Sequence, residues 1–257
     1  MSETRVELKT ADGTAEAFLF SPVAGSGPWP GIVYLTDIMG IRPAYHQMAQ
    51  RLANQGYVVL LPNIFYRGTR LPVLDFVPKM GDERTMKRMG ELRASLPTDK
   101  MGPDGAAFAA FLLAQKSVAG AKVGVVGYCF TGSMTVRTAA AAPDATAAAI
   151  SFHGGGLYTD EPDSPHLLLP RIKSRLYFGH AVQDRSMPAE AIAKFEAALK
   201  AWGGTFESET YEGALHGWCV PGRPEIYNEK QAERAFARMT ETLKAALSQV
   251  QIRASPG

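Results

Sequence analysis

Gly127-Tyr128-Cys129-Phe130-Thr131-Gly132 decides how this chain folds. An apolar run precedes it, Lys122-Val123-Gly124-Val125-Val126, and a run of small helix-forming residues follows, Ser133 to Ala142. A buried strand that turns sharply into a helix, with a nucleophile at the apex and glycines on both sides, is a nucleophile elbow. Glycine is required because the turn is tight and strand and helix nearly touch. The apex residue here is a thiol.

Outward from the elbow, apolar runs of strand length alternate with helical patterns. Val6 to Thr10 and Ala15 to Phe20 flank Asp12-Gly13, a hairpin signal at a sheet edge. Gly31 to Leu35 and Tyr57 to Leu61 are buried strands, with a helix from Pro43 to Gln55 between them. Residues 62–103 carry Pro72, Pro78 and Pro97 and read as an irregular insertion over the ligand end, with a helix predicted over Asp82 to Leu96. A helix is predicted from Asp104 to Gln115. Beyond the elbow the pattern predicts strands over Thr146 to Phe152, Arg175 to Gly179 and Phe206 to Tyr211, and helices over Pro188 to Trp202 and Glu225 to Gln249. Strands and helices alternating over the whole length, with no internal repeat or linker, predict one α/β domain over residues 1–257 with a mostly parallel sheet and helices on both faces.

The composition narrows the function classes. The chain has 257 residues, 46% of them hydrophobic, long enough to bury a core without staples. With 27 basic and 25 acidic residues and no basic block, nothing argues for nucleic acid or an anionic membrane surface. Two cysteines, Cys129 and Cys219, are too few for a disulfide framework. Met1-Ser2-Glu3-Thr4-Arg5 lacks the apolar core of a signal peptide, and no apolar run approaches transmembrane length. The expectation is a cytoplasmic protein.

Three residues follow the elbow logic. Cys129 ends an inner strand, Asp184 follows the second strand beyond it, and His216 follows the next. Nucleophile, acid, histidine is the chain order of an α/β-hydrolase, with all three loops at the carboxyl edge of the sheet. His216 would carry the proton, Asp184 would fix the imidazole tautomer, and Cys129 would attack as thiolate. The N–H groups of Phe130 and Ile38 would form the oxyanion hole. His153, followed by three glycines, reads as a loop residue, and His180 as structural. Tyr66, Tyr128, Phe130, Trp218, Met39 and Met80 are candidates for an apolar pocket, with Tyr128 and Trp218 favoured by their neighbours.

The elbow, Asp184 in Gly179-His180-Ala181-Val182-Gln183-Asp184, His216-Gly217-Trp218 and Val33-Tyr34-Leu35-Thr36-Asp37-Ile38-Met39-Gly40 together resemble the dienelactone hydrolase family. The resemblance covers nearly the whole chain, and the cysteine elbow is its specific part. It implies hydrolysis of enol-lactones through an acyl-thioester on Cys129, without metal or cofactor. It also implies an active-site role for Asp37, at the position of a glutamate that deprotonates the thiol; aspartate is one methylene shorter, so either the backbone compensates or Asp37 chiefly orients other groups. Family arginines that meet a substrate carboxylate have no match here; by the Asp82-Glu83-Arg84 alignment one falls on Met86. Arg84, Arg88 and Arg223 are the candidate substitutes. The expected partner is a small-molecule ester or lactone, with no nucleic acid and no membrane, in a monomer or homodimer. A thioesterase or short-chain esterase is the alternative, and a non-catalytic or redox-sensing protein a further one.

Overall fold

The elbow strand runs down the middle of the sheet. The computed structural model describes residues 2–253. Its strands are β1 (Ser2–Thr10), β2 (Gly13–Ser21), β3 (Trp29–Tyr34), β4 (Val58–Pro62), β5 (Val118–Tyr128), β6 (Thr146–Phe152), β7 (Arg175–Gln183) and β8 (Phe206–Leu215). They form one eight-stranded sheet in the order β1-β2-β4-β3-β5-β6-β7-β8. The first hairpin is antiparallel, as Asp12-Gly13 predicts, and β2 also meets β4 antiparallel. Every other pair is parallel. β3, β5, β7 and β8 therefore all end at one edge, where loops carry function in open α/β sheets.

Both faces are covered. Helices α1 (Pro43–Ala53) and α6 (Glu229–Arg253) pack Tyr45, Leu52, Met239 and Leu243 against one face. On the other, α2 (Glu83–Ser95) and α3 (Thr98–Leu113) contribute Leu92, Met101, Phe108 and Leu112. Helices α4 (Thr131–Ala141) and α5 (Ala189–Trp202), with a short 3-10 helix at Pro165–Arg171, enclose Val136, Phe195 and Leu199. Inner strands buried on both sides explain why β4 and β6 read as continuous apolar runs rather than alternating ones.

Several boundaries differ from the sequence reading, each for a local reason. Helix α3 begins at Thr98 instead of Asp104, with Pro103 inside it. Pro103, the sixth residue of the helix, lacks the N–H that would have reached the Asp99 carbonyl, and the helix runs through it with one bond fewer. Strand β5 begins at Val118, because a register shift between Pro30 and Ile32 lets Val118 and Ala119 pair with the start of β3 before the buried run meets it from Gly124. Strand β8 continues to Leu215 and brings its end directly to His216. Helix α2 matches its expected span; the Asp82 side chain accepts from the Thr85 N–H at 3.1 Å and caps it.

Candidate active site

Cys129 sits in the left-handed region at φ 58°, the strained apex expected of an elbow. The turn is fixed by the end of β6. The Cys129 N–H donates to the Phe152 carbonyl at 3.1 Å and to His153 Nδ1 at 3.0 Å, and the Cys129 carbonyl accepts from Gly132 and Gly155. A Cβ on Gly127 would meet the Thr131 carbonyl at 2.5 Å, and one on Gly132 would meet the Ser151 hydroxyl at 2.4 Å. Both glycines are therefore required by close approach, as the sequence argued.

Thr131 ties the elbow to the neighbouring loop. Its hydroxyl accepts from the Tyr128 N–H and donates to the Thr36 carbonyl, each at 2.9 Å, with the side chain fully buried. Thr131→Val leaves a donor and an acceptor unpaired in the interior. The expected cost is about 1–3 kcal/mol of stability by urea unfolding, mostly recovered in Thr131→Ser. An unchanged midpoint for the valine variant would contradict this role.

His216 lies between the other two predicted residues. Its Nε2 is 3.1 Å from Cys129 Sγ and its Nδ1 is 2.6 Å from Asp184 Oδ2. Asp184 Oδ1 accepts from the Ser186 N–H at 2.8 Å and the Ser186 hydroxyl at 2.6 Å. Burial raises the Asp184 carboxyl, but the bonds from His216 and Ser186 outweigh it and hold the acid below its usual range. Burial also opposes charge on His216, yet Asp184 and Cys129 overcome it and push the imidazole up to about 10. The site is thus built to carry an imidazolium beside sulfur. The folded pKa lies above the ordinary 6.5. The protonated ring therefore stabilises the fold fully below about pH 6.5 and progressively less as pH climbs through 10. The thermal midpoint of the parent should fall more steeply over that window than that of His216→Asn; parallel profiles would contradict the coupling.

His153 is the residue that the sequence reading passed over. It is buried, adopts φ 40°, and its ring lies 4.9 Å from the His216 ring. Because Nδ1 accepts from a backbone N–H, that nitrogen carries no proton. Burial, reinforced by His216, holds its pKa well below the ordinary value, so a neutral ring stands beside an imidazolium. The Gly154-Gly155-Gly156 run was the available signal: glycines crowd where β6 ends against the elbow.

Ile38 and Phe130 both line the cavity beside Cys129. Among the described residues neither N–H has an acceptor, whereas those of Asp37, Met39 and Cys129 do. Asp37 also lines the cavity, but it does not reach the thiol. Arg42 takes both its oxygens, at 2.6 and 2.7 Å, and the Met39 N–H donates to Oδ1 at 3.0 Å. Of the two roles open for Asp37, the geometry fits orientation of its neighbours: the short carboxylate is captured by an arginine on its own loop, beside the Ile38 turn.

The four substrate-binding expectations are also corrected. Tyr128 points into the core, its hydroxyl 2.5 Å from that of Tyr34. Trp218 is fully buried among His153, Phe152 and Tyr211, and supports the site from behind. Arg84 pairs with Asp75 and covers the Phe76 ring, and Arg88 bonds Glu91 and the Val73 carbonyl. They lie one turn apart on the face of α2 that covers a surface loop, away from the cavity. Arg223 does line the cavity, with Arg42, Arg93 and Arg137, which the sequence did not single out. Phe130, Met39 and Met80 line it too, with Met89 and Met101. Cys219 is buried behind the site, its thiol pushed up by burial.

The cavity measures about 500 Å³. Among the described residues no cluster of three or more His, Cys, Asp or Glu could hold a metal ion, and no helix is long and apolar enough to cross a membrane.

The model of the dienelactone hydrolase family matches residues 15–247. A Synechocystis sp. protein provisionally named a carboxymethylenebutenolidase is 27% identical over 247 residues, covering 95% of this chain and 97% of its own. The carboxymethylenebutenolidase of Rhodococcus opacus is 27% identical over 221 residues, 84% of this chain and 80% of its own. A provisionally assigned dienelactone hydrolase from Klebsiella pneumoniae superposes with a TM-score of 0.81 at 20% identity, covering 94% and 98% of the two chains, and shows the shared fold. With the family model spanning nearly the whole sheet, this chain belongs to the dienelactone hydrolase family, as a carboxylic ester hydrolase on the α/β-hydrolase fold.

Proposed function

We propose that this hydrolase cleaves an ester or lactone by acylating Cys129. One observation carries the reading: a single imidazole spans 3.1 Å to the Cys129 sulfur and 2.6 Å to a buried aspartate. His216 takes the proton of the Cys129 thiol, giving an imidazolium beside a thiolate. Sγ attacks the substrate carbonyl, and the negative oxygen is held by the Ile38 and Phe130 N–H groups. As the C–O bond breaks, His216 Nε2 gives its proton to the departing oxygen, leaving an acyl-thioester on Cys129. Neutral His216 then takes a proton from water, the hydroxide attacks the thioester, and the thiolate leaves. Asp184 holds Nδ1–H throughout and stabilises each imidazolium. Asp37 and Arg42, paired to each other, keep the oxyanion loop in place.

A rate panel of enol-lactones, aryl esters and thioesters on the parent protein tests the substrate class. Enol-lactones and aryl esters, whose leaving oxygens need little help, should have the highest kcat/KM. Thioesters outpacing both would contradict this choice.

A further inference from the structure

Arg137 is an anomaly on the wall of the active cavity. It projects from α4, and its side chain is only 11% exposed. One terminal nitrogen donates to the Asp163 carbonyl at 2.7 Å. The Asp163 carboxylate, itself 54% exposed, stands 3.6 Å away. The Arg137 Nε is buried with no partner among the described residues. Burial, only partly offset by Asp163, holds this guanidinium below the usual arginine range. A buried cation so weakly paired is costly unless something else supplies the negative charge. A second guanidinium, Arg93 from α2, lies 5.6 Å from the Phe130 ring on the same cavity and has no carboxylate partner among the described residues. The wall near them is apolar, from Met89, Met101 and Phe130.

Position sets the length of the ligand. Arg137 follows Cys129 by eight residues, nearly all of them in α4. That separates their Cα atoms by about 10 Å along the helix, with the guanidinium held at the Asp163 carbonyl. The cavity, about 500 Å³, also has room for much more than a small lactone ring.

We propose that the Arg137 wall, with Arg93 nearby, is a subsite for an oxyanion, carboxylate or phosphate, at the end of an extended apolar arm of the substrate. The arm runs from the reacting carbonyl past Phe130, Met89 and Met101, and its terminal oxygens take the unpaired guanidinium donors. This rests on the ester-hydrolase reading above and specifies its substrate class.

The test compares p-nitrophenyl half-esters of succinic and suberic acid with neutral butyrate and octanoate esters. In the parent, the suberate half-ester should exceed octanoate in kcat/KM by about 10-fold to 100-fold, the range for charge-assisted hydrogen bonds. The succinate half-ester should gain little over butyrate. Arg137→Gln should bring the suberate-to-octanoate ratio near one, and Arg137→Lys should keep part of it. A ω-phosphonooxyoctanoate ester tells the two oxyanions apart; either one outpacing octanoate supports the site. Equal rates for octanoate and both oxyanion esters in the parent, or a larger gain for succinate than for suberate, would overturn the proposal. So would a ratio that survives Arg137→Gln. A second arm needs no turnover: calorimetric binding of suberanilic acid and octananilide to Cys129→Ala. Tighter binding of the acid, lost when Arg137→Gln is added, supports the site even if the parent hydrolyses no ester, an outcome that would sink the catalytic reading alone. Equal binding of the two anilides, or none of the acid, with no gain for the phosphonooxy ester, overturns the site.

Discussion

Cys129→Ala should lower kcat/KM for p-nitrophenyl acetate by about 10⁴-fold or more, with the fold and thermal midpoint preserved. The expectation follows from covalent catalysis: without the sulfur there is no acyl-enzyme, and water must attack directly, aided only by the oxyanion donors and His216. Alanine leaves a small void at a partly exposed position, so stability should change little. Cys129→Ser should fall between the two. The serine hydroxyl gives up its proton far less readily than a thiol, and His216, held near 10 by its partners, is tuned for a sulfur anion. A Cys129→Ala variant that turns over the ester at the parent rate would remove the thiol from the mechanism.

Asp184→Asn should cost about 10³-fold to 10⁴-fold in kcat with KM little changed. Asp184 binds His216 Nδ1 at 2.6 Å and is itself pinned by both donors of Ser186. An amide in its place cannot stabilise an imidazolium, and where it turns its NH₂ toward Nδ1 it imposes the wrong tautomer. His216 would then lose the partner that most raises its pKa, and the population of imidazolium at neutral pH would shrink. Alkylation of Cys129 by iodoacetamide near neutrality should slow in parallel. A variant with normal kcat, or with slow turnover but unchanged alkylation, would contradict the role assigned to Asp184.

The part of this site that the sequence made legible is the part imposed by the backbone. A nucleophile elbow needs glycines where strand and helix touch, and Gly127 and Gly132 meet the Thr131 carbonyl and Ser151 hydroxyl so closely that no side chain fits. Strand order then carried Asp184 and His216 to the same edge. Residues whose roles depend on which way a side chain points were harder to read. Tyr128 and Trp218 neighbour the site in sequence, yet both turn into the core. The 62–103 insertion hid its own arginines: Arg84 and Arg88 lie on one face of α2, while Met89 and Arg93 lie on the face that lines the cavity. Arg137 was masked by the small-residue run of α4, and His153 by the glycines after it. The role of Asp37 stayed open between activating the thiol and orienting its neighbours, because its partner, Arg42, reaches it only through a loop conformation that the local pattern does not encode.

The most direct test of the central claim is intact-protein mass spectrometry after acid quench of a p-nitrophenyl acetate turnover, followed by peptide mapping. One acetyl group should accumulate on the peptide that contains Cys129, disappear on treatment with neutral hydroxylamine, and be absent from Cys129→Ala. Acetyl on another residue, or steady turnover with Cys129 never acylated, would contradict the account.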